Sequence, residues 1–252
     1  MRSAVRNLIL FGGGGQTPLQ RYEAAITALN PVLWYKFNET SGTTVINYGS
    51  LGATGNGVWT PGVGALGQTG RLGANHAYSF DALDSMVRVT YDASFGALTD
   101  FTVMALVKAA TTGEGTNAAI YSMSFGLQTL RLNAGKLRAA CDYNTVDALG
   151  DVTANFPLTT WNLPTQAHFG STTKKSIVYQ PAPGATVAAE ALSTDTAGST
   201  TFVPGGVGVD LFIGNREGQT RTFDGLVDEF YWFPSTLTLA QIQNIVTLSN
   251  LV

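Results

Sequence analysis

The chain has 252 residues, 12% of them charged, and a net charge of −3, so bulk charge gives it no pull on nucleic acid. Hydrophobic residues at 44% and 29 glycines suit many short strands joined by tight turns, and exclude a disordered chain. A single cysteine, Cys141, rules out an intrachain disulfide.

Residues 1–16 read as an arm. It carries Arg2 and Arg6, the apolar residues Val5, Leu8, Ile9, Leu10 and Phe11, and then four glycines, Gly12 to Gly15. The apolar run is too short for the core of a signal peptide, and no small-residue cleavage site follows it. No segment reaches the ~18 apolar residues of a membrane span, so the expectation is a chain made and kept in the cytoplasm. Ordering a Gly-rich arm costs roughly 1–2 kcal/mol of backbone entropy per residue. The arm is therefore expected to dock on a partner chain, with the five apolar residues as anchors and the two arginines paired with acids there. The other reading makes it an edge strand on its own sheet.

Thr17, Pro18 and Gln20 predict a helix start, and Pro31 a stop, giving a helix over 17–30 with Leu19, Tyr22, Ile26 and Leu29 on its apolar stripe. Leu33, Tyr35 and Phe37 alternate with Trp34 and Lys36 as the first strand of a domain spanning 31–252. Gly49 to Gly73 is a run of turns around a short strand at Val58 and Trp59. Within it GVGALG at 62–67 spells a dinucleotide fingerprint, but Pro61 precedes it and no helix pattern follows, so it is read as turns. Strands are predicted over 86–91, 101–108, 118–125, 127–132, 136–140, 176–179, 209–214 and 226–233. Pro164 would interrupt a strand led by Trp161. A second helix over 238–249 follows from the capping pair Thr238 and Gln241 and the stripe Ile242, Ile245, Val246 and Leu248.

Five stretches in order, LWYKFNETSG at 33–42, AYSFD at 77–81, FTVMALVK at 101–108, FIGN at 212–215 and FDGLVDEFYWF at 223–233, resemble the laminin-G-like, concanavalin A-like domains. The resemblance implies an all-β, two-sheet antiparallel jelly-roll sandwich with a short helix at each end, the C-terminal one on the rim. It also implies a calcium on the rim, held by Glu39, Asn47 and Asp228, with backbone carbonyls completing the six to eight oxygens. The alternative is that Asp228 only accepts backbone hydrogen bonds.

Glycosidases of this fold place paired carboxylates in one groove, and their E-x-D-x-x-E spacing is absent. Strand alternation sends the adjacent Asp228 and Glu229 to opposite faces. His76 and His168 are the two histidines, and no nucleophile-elbow motif occurs, although a serine triad stays open. No enzyme is expected. For sugar stacking, Trp59 and Trp161 near loops, and Tyr231 on the face opposite Trp232, are the candidate platforms, against ordinary packing.

Three functions are weighed. LWYKFNETSG after a helix ending in Asn30 and Pro31 resembles the laminin-G-like domains of bacteriophage virion proteins. That implies a structural or decoration protein of a virus particle, assembled in the host cytoplasm, with other virion proteins as partners of residues 1–16. The second reading is a carbohydrate-binding adhesion module taking host-surface glycans. The third, a glycoside hydrolase, lacks its acids.

Overall fold

The computed structural model describes residues 15–74, 76–123, 128–143, 146–190, 192–198 and 208–250, with 192–196 described by their backbone. Helix α1 (Pro18–Ala28) leads to β1 (Leu33–Tyr35), β2 (Thr44–Val45), β3 (Gly57–Thr60), β4 (Ala65–Gln68), β5 (Ala77–Asp81) and β6 (Met86–Val89). A one-turn helix, α2 (Ala93–Gly96), precedes β7 (Asp100–Ala109), β8 (Ala119–Met123), β9 (Gln128–Asn133), β10 (Lys136–Cys141) and β11 (Ala148–Asn155). The remainder is β12 (Thr165–Phe169), β13 (Lys175–Tyr179), β14 (Leu192–Thr196), β15 (Leu211–Ile213), β16 (Asp224–Phe233) and α3 (Leu239–Ser249).

Both predicted helix caps form. Thr17 accepts from the Gln20 N–H while the Gln20 side chain takes the Thr17 N–H, and Thr238 and Gln241 repeat the exchange. The strands make two antiparallel sheets. One runs β13-β12-β7-β16-β5-β4 with β1 also on β16, and the other runs β14-β11-β10-β9-β8-β15-β6-β3-β2. The fold is thus the expected all-β two-sheet sandwich with a helix at each end.

Between the sheets lies the main core, which takes Leu33, Tyr35, Val227, Phe230 and Trp232 from the first sheet and Trp59, Val87, Tyr121, Leu130 and Ile213 from the second. Gly214 sits at φ 76°, and a Cβ there would stand 2.0 Å from the Phe80 ring, so the glycine lets β15 turn tightly over the core. The GVGALG run enters β4, which pairs with β5, so it is part of a sheet edge.

A second core corrects the expected place of the C-terminal helix. Instead of sitting on the rim, α3 joins α1 over the outer face of the seven-stranded sheet, where Tyr22, Ile26, Ile242, Ile245 and Val246 pack on Met104, Tyr231 and Phe233. A sheet face with this many apolar residues needs a cover. Among the described residues no helix covers the outer face of the nine-stranded sheet.

Five strands were not anticipated: β2, β4, which lies in the run read as turns, β5, β11 and β14. The last two are edgeward strands of the larger sheet, and β11 carries three polar or charged side chains after Gly150. Pro164 does stop the Trp161 segment: β12 begins one residue later, and Asn162 makes only an isolated bridge to Val107. The arm residues Arg2, Val5, Arg6, Leu8, Ile9, Leu10 and Phe11 lie outside the described residues.

Candidate functional site

The three residues assigned to a calcium are each engaged inside the protein. Glu39 accepts from the Ile46 N–H at 2.9 Å and from the Tyr78 hydroxyl at 2.7 Å. Asn47 uses all four of its hydrogen bonds: Oδ1 takes the Trp34 and Gly49 N–H groups, and Nδ2 donates to the Val32 and Gly52 carbonyls. Asp228 Oδ2 accepts from the Leu72 N–H at 2.7 Å, while Oδ1 is buried without a partner. No cluster of three or more His, Cys, Asp or Glu side chains is arranged for a metal among the described residues. Asn47 has no lone pair left to give, so this donor set does not fit the calcium that the family resemblance implies.

What Asp228 does instead is hold down the 70–72 turn. A Cβ on Gly70 would come within 2.4 Å of its carboxylate, so only glycine allows the loop so close. The simple alternation of Asp228 and Glu229 also needs correction. The register of β16 on β7 shifts between Val227 and Glu229, a bulge that inserts Asp228 as an extra residue. Both carboxyls then lie in one buried region under α1, 0% and 1% exposed. Burial pushes Asp228 up to about 7, against the opposing pull of the Leu72 and Arg71 N–H groups. Burial first, and then the Asp228 charge, raise Glu229, whose Oε2 takes the Trp34 indole N–H at 2.6 Å. A sealed pair of acids has no approach for a glycosidic bond.

Of the predicted sugar platforms, two are packing residues. Trp59 is 3% exposed, wedged against Tyr78 and Phe80 with ring centroids 5.1 Å away. Tyr231 is fully buried beneath α1, where its hydroxyl meets that of Tyr22 at 2.5 Å. The alternation had put it on the face away from the main core, and the two helices cover that face. Trp161 is half-buried against the second core. The three do not assemble into one surface.

A serine and a histidine do meet. Ser176 Oγ lies 3.0 Å from His168 Nδ1, Tyr143 lies 3.1 Å from the Nε2, and Gln166 bridges Ser176 to Cys141. His168 and Cys141 are fully buried and Ser176 nearly so. Burial holds the imidazole down at about 4 and the thiol up at about 12. Neutral, hydrogen-bonded and closed to water, this network braces the sheets and offers no nucleophile to a substrate.

The face of the nine-stranded sheet that no described helix covers differs. A groove of about 680 Å3 is lined there by Met86 and Arg88 of β6, Asp210 and Phe212 at β15, and Glu217 and Gln219 of the following loop. Alternation sets its floor: Val87, Val89, Leu211 and Ile213 point into the core, so Arg88 and Phe212, directly paired, point outward. Asp210 holds Arg88 in an ion pair at 2.5 Å and takes the Tyr91 N–H at 2.9 Å. One row along, Ala119, Arg131, Arg138 and Asp151 stand opposite one another on four adjacent strands, and the Ala119 N–H bonds the Arg221 carbonyl. The sequence hid this face because its residues come from six strands and a loop. Only the outward phase of 86–89 and 211–213 could have signalled it.

No protein-family model and no curated protein sequence matches the chain. Among solved structures it is similar to the binding domain of botulinum neurotoxin serotype G, with TM-score 0.61 and 10% identity over 86% of this chain and 50% of that one. The binding domain of Paraclostridial Mosquitocidal Protein 1 gives TM-score 0.58 and 12% identity, over 86% of this chain and 52% of that one. Botulinum neurotoxin serotype D binding domain gives 0.54 and 8%, over 86% and 51%. The chain therefore spans about half the length of the structures it matches, and at this identity the likeness is one of fold.

Proposed function

We propose that the chain is a non-enzymatic binding module that takes a host-surface glycan on the outer face of its nine-stranded sheet. The groove at Arg88 and Phe212 carries this reading. Its volume of about 680 Å3 suits a few sugar rings. Arg88, Asp210, Glu217 and Gln219 supply donors and acceptors for hydroxyl groups, and Met86 supplies an apolar contact for the C–H face of a pyranose, above a floor closed by the buried Phe212. Support comes also from the fold neighbours, which include the receptor binding domain of botulinum neurotoxin type G and the binding domain of Paraclostridial Mosquitocidal Protein 1. The Asp228–Glu229 pair and the Ser176–His168 pair are closed off.

The test is a panel of immobilised glycans. Arg88→Gln combined with Gln219→Ala is expected to weaken binding of the best glycan at least tenfold, with an unchanged melting temperature and no reducing sugar released. Equal binding by the variant would put the site elsewhere.

The same reading extends to setting. The stretch at 33–42 resembles phage virion proteins, which favours display on a virus particle through residues 1–16. Deleting those residues is expected to abolish incorporation into particles while leaving the fold intact. Normal incorporation of the truncated chain would mean that the arm is not the anchor, whereas failure of the full chain to enter particles would remove the virion reading and leave the binding module.

A further inference from the structure

We propose that the glycan is acidic, and that Arg131, Arg216 and Arg221 hold its carboxylate or sulfate groups. This rests on the binding-module reading and names the ligand class for it. Arg131 and Arg138 are directly opposite on β9 and β10, and both point outward because Leu130, Leu132, Leu137 and Ala139 point into the core. Like charges so placed repel and cost stability. Asp151 grips Arg138 through two hydrogen bonds, and its charge also acts on Arg131.

Three guanidinium groups are left over. No ion pair engages Arg131, Arg216 or Arg221 among the described residues. Arg216 spends its Nε on the Thr220 hydroxyl at 2.6 Å and keeps its terminal nitrogens. The Arg131 Nε is buried with no acceptor, a donor that buried groups in folded proteins rarely leave unmet. Burial, and then the charges of Arg221 and Arg138, pull the Arg131 guanidinium down to about 10, as expected where positive charge is crowded. All three present planar guanidinium forks suited to carboxylate or sulfate oxygens.

The patch adjoins the groove through one loop. Residues 216–221 put Arg216 and Arg221 at the two ends and Glu217 and Gln219, which line the groove, between them. One saccharide chain can lay neutral rings over Met86 and Phe212 and an acidic group against the arginines. Crowded cations on a chain whose net charge is −3 are a local feature, which favours a ligand with spaced acidic groups over a nucleic acid that needs a broad field.

The experiment titrates the full chain with polygalacturonate, dextran sulfate and neutral dextran, at low and at physiological salt. The acidic chains are expected to bind more tightly than dextran and to weaken as salt rises. Arg131→Gln with Arg221→Gln should lose about tenfold per arginine for the acidic chains, about 1.4 kcal/mol each. Relief of the Arg131–Arg138 repulsion should keep its melting temperature at or above that of the parent. Arg221→Gln alone, in the loop, repeats the test should the double variant not fold. Equal affinity for dextran and the acidic chains, or variants that bind the acidic chains as the parent does, would overturn the arginine site and leave the glycan-binding groove standing. No binding to any glycan would remove both. Binding confined to single-stranded DNA or to anionic vesicles would assign the arginines to another ligand and overturn the proposal.

Discussion

Raising the pH from 4 to 7.5 is expected to destabilise the folded chain, because Asp228 and Glu229 are buried where ionisation is unfavourable. The Asp228 carboxyl is raised from an ordinary 3.8 to about 7 when folded. Between those values the folded state keeps a proton that the unfolded state has lost. Stability therefore falls with rising pH across this window and levels off above about 7. Each unit is worth about 1.36 kcal/mol, so the full span amounts to about 4 kcal/mol from this group. For a chain of this size that corresponds to roughly 10 °C in melting temperature. Glu229, raised in the same direction, steepens the slope. Other groups around the pair are Tyr22 and Tyr231, held neutral by burial, and the cations Arg71 and Lys36, which oppose the shift. Chemical denaturation at half-unit pH steps reads the slope directly. Asp228→Asn carries no proton but keeps an oxygen for the Leu72 N–H, so it should flatten the slope and equal or exceed the parent above pH 7. His168, held down at about 4, contributes the opposite slope up to about 6.5, so the difference between parent and variant is what reads Asp228. Parallel slopes in the two would refute the buried-acid assignment.

Two substitutions separate packing from binding. Trp59→Ala should cost about 3–5 kcal/mol, because it empties a core site between Tyr78 and Phe80, and should leave glycan affinity unchanged once the protein is folded. A glycan-binding loss with an unchanged melt would restore Trp59 as a platform. Tyr231→Phe strands the Tyr22 hydroxyl under α1 and should cost about 1–3 kcal/mol in denaturant unfolding. No measurable loss would mean that α1 is held by its apolar residues alone.

The fold was legible where local chemistry and long periodic patterns agree. The two capping pairs and the alternation in 33–37 and 226–233 each gave an element that the structure contains. Alternation also placed Trp232 inward and Tyr231 on the opposite face. It could not say what lay over that opposite face, since a helix 209 residues away in sequence supplies the Tyr22 that covers Tyr231. The bulge at Asp228 was equally hidden: nothing local marks it, and it arises from pairing with β7. A calcium set drawn from Glu39, Asn47 and Asp228 ignored how many backbone groups each must satisfy. The arginine row needed the register of four strands, which residue spacing does not reveal.

Hydrogen-exchange footprinting with the best glycan of the panel tests the binding face most directly. Protection is expected in 86–89 and 208–222, with no change in α1, α3 or the 70–72 turn. Protection confined to the helix-covered side, with 86–89 and 208–222 unaffected, would contradict the assignment of the nine-stranded sheet as the face that binds.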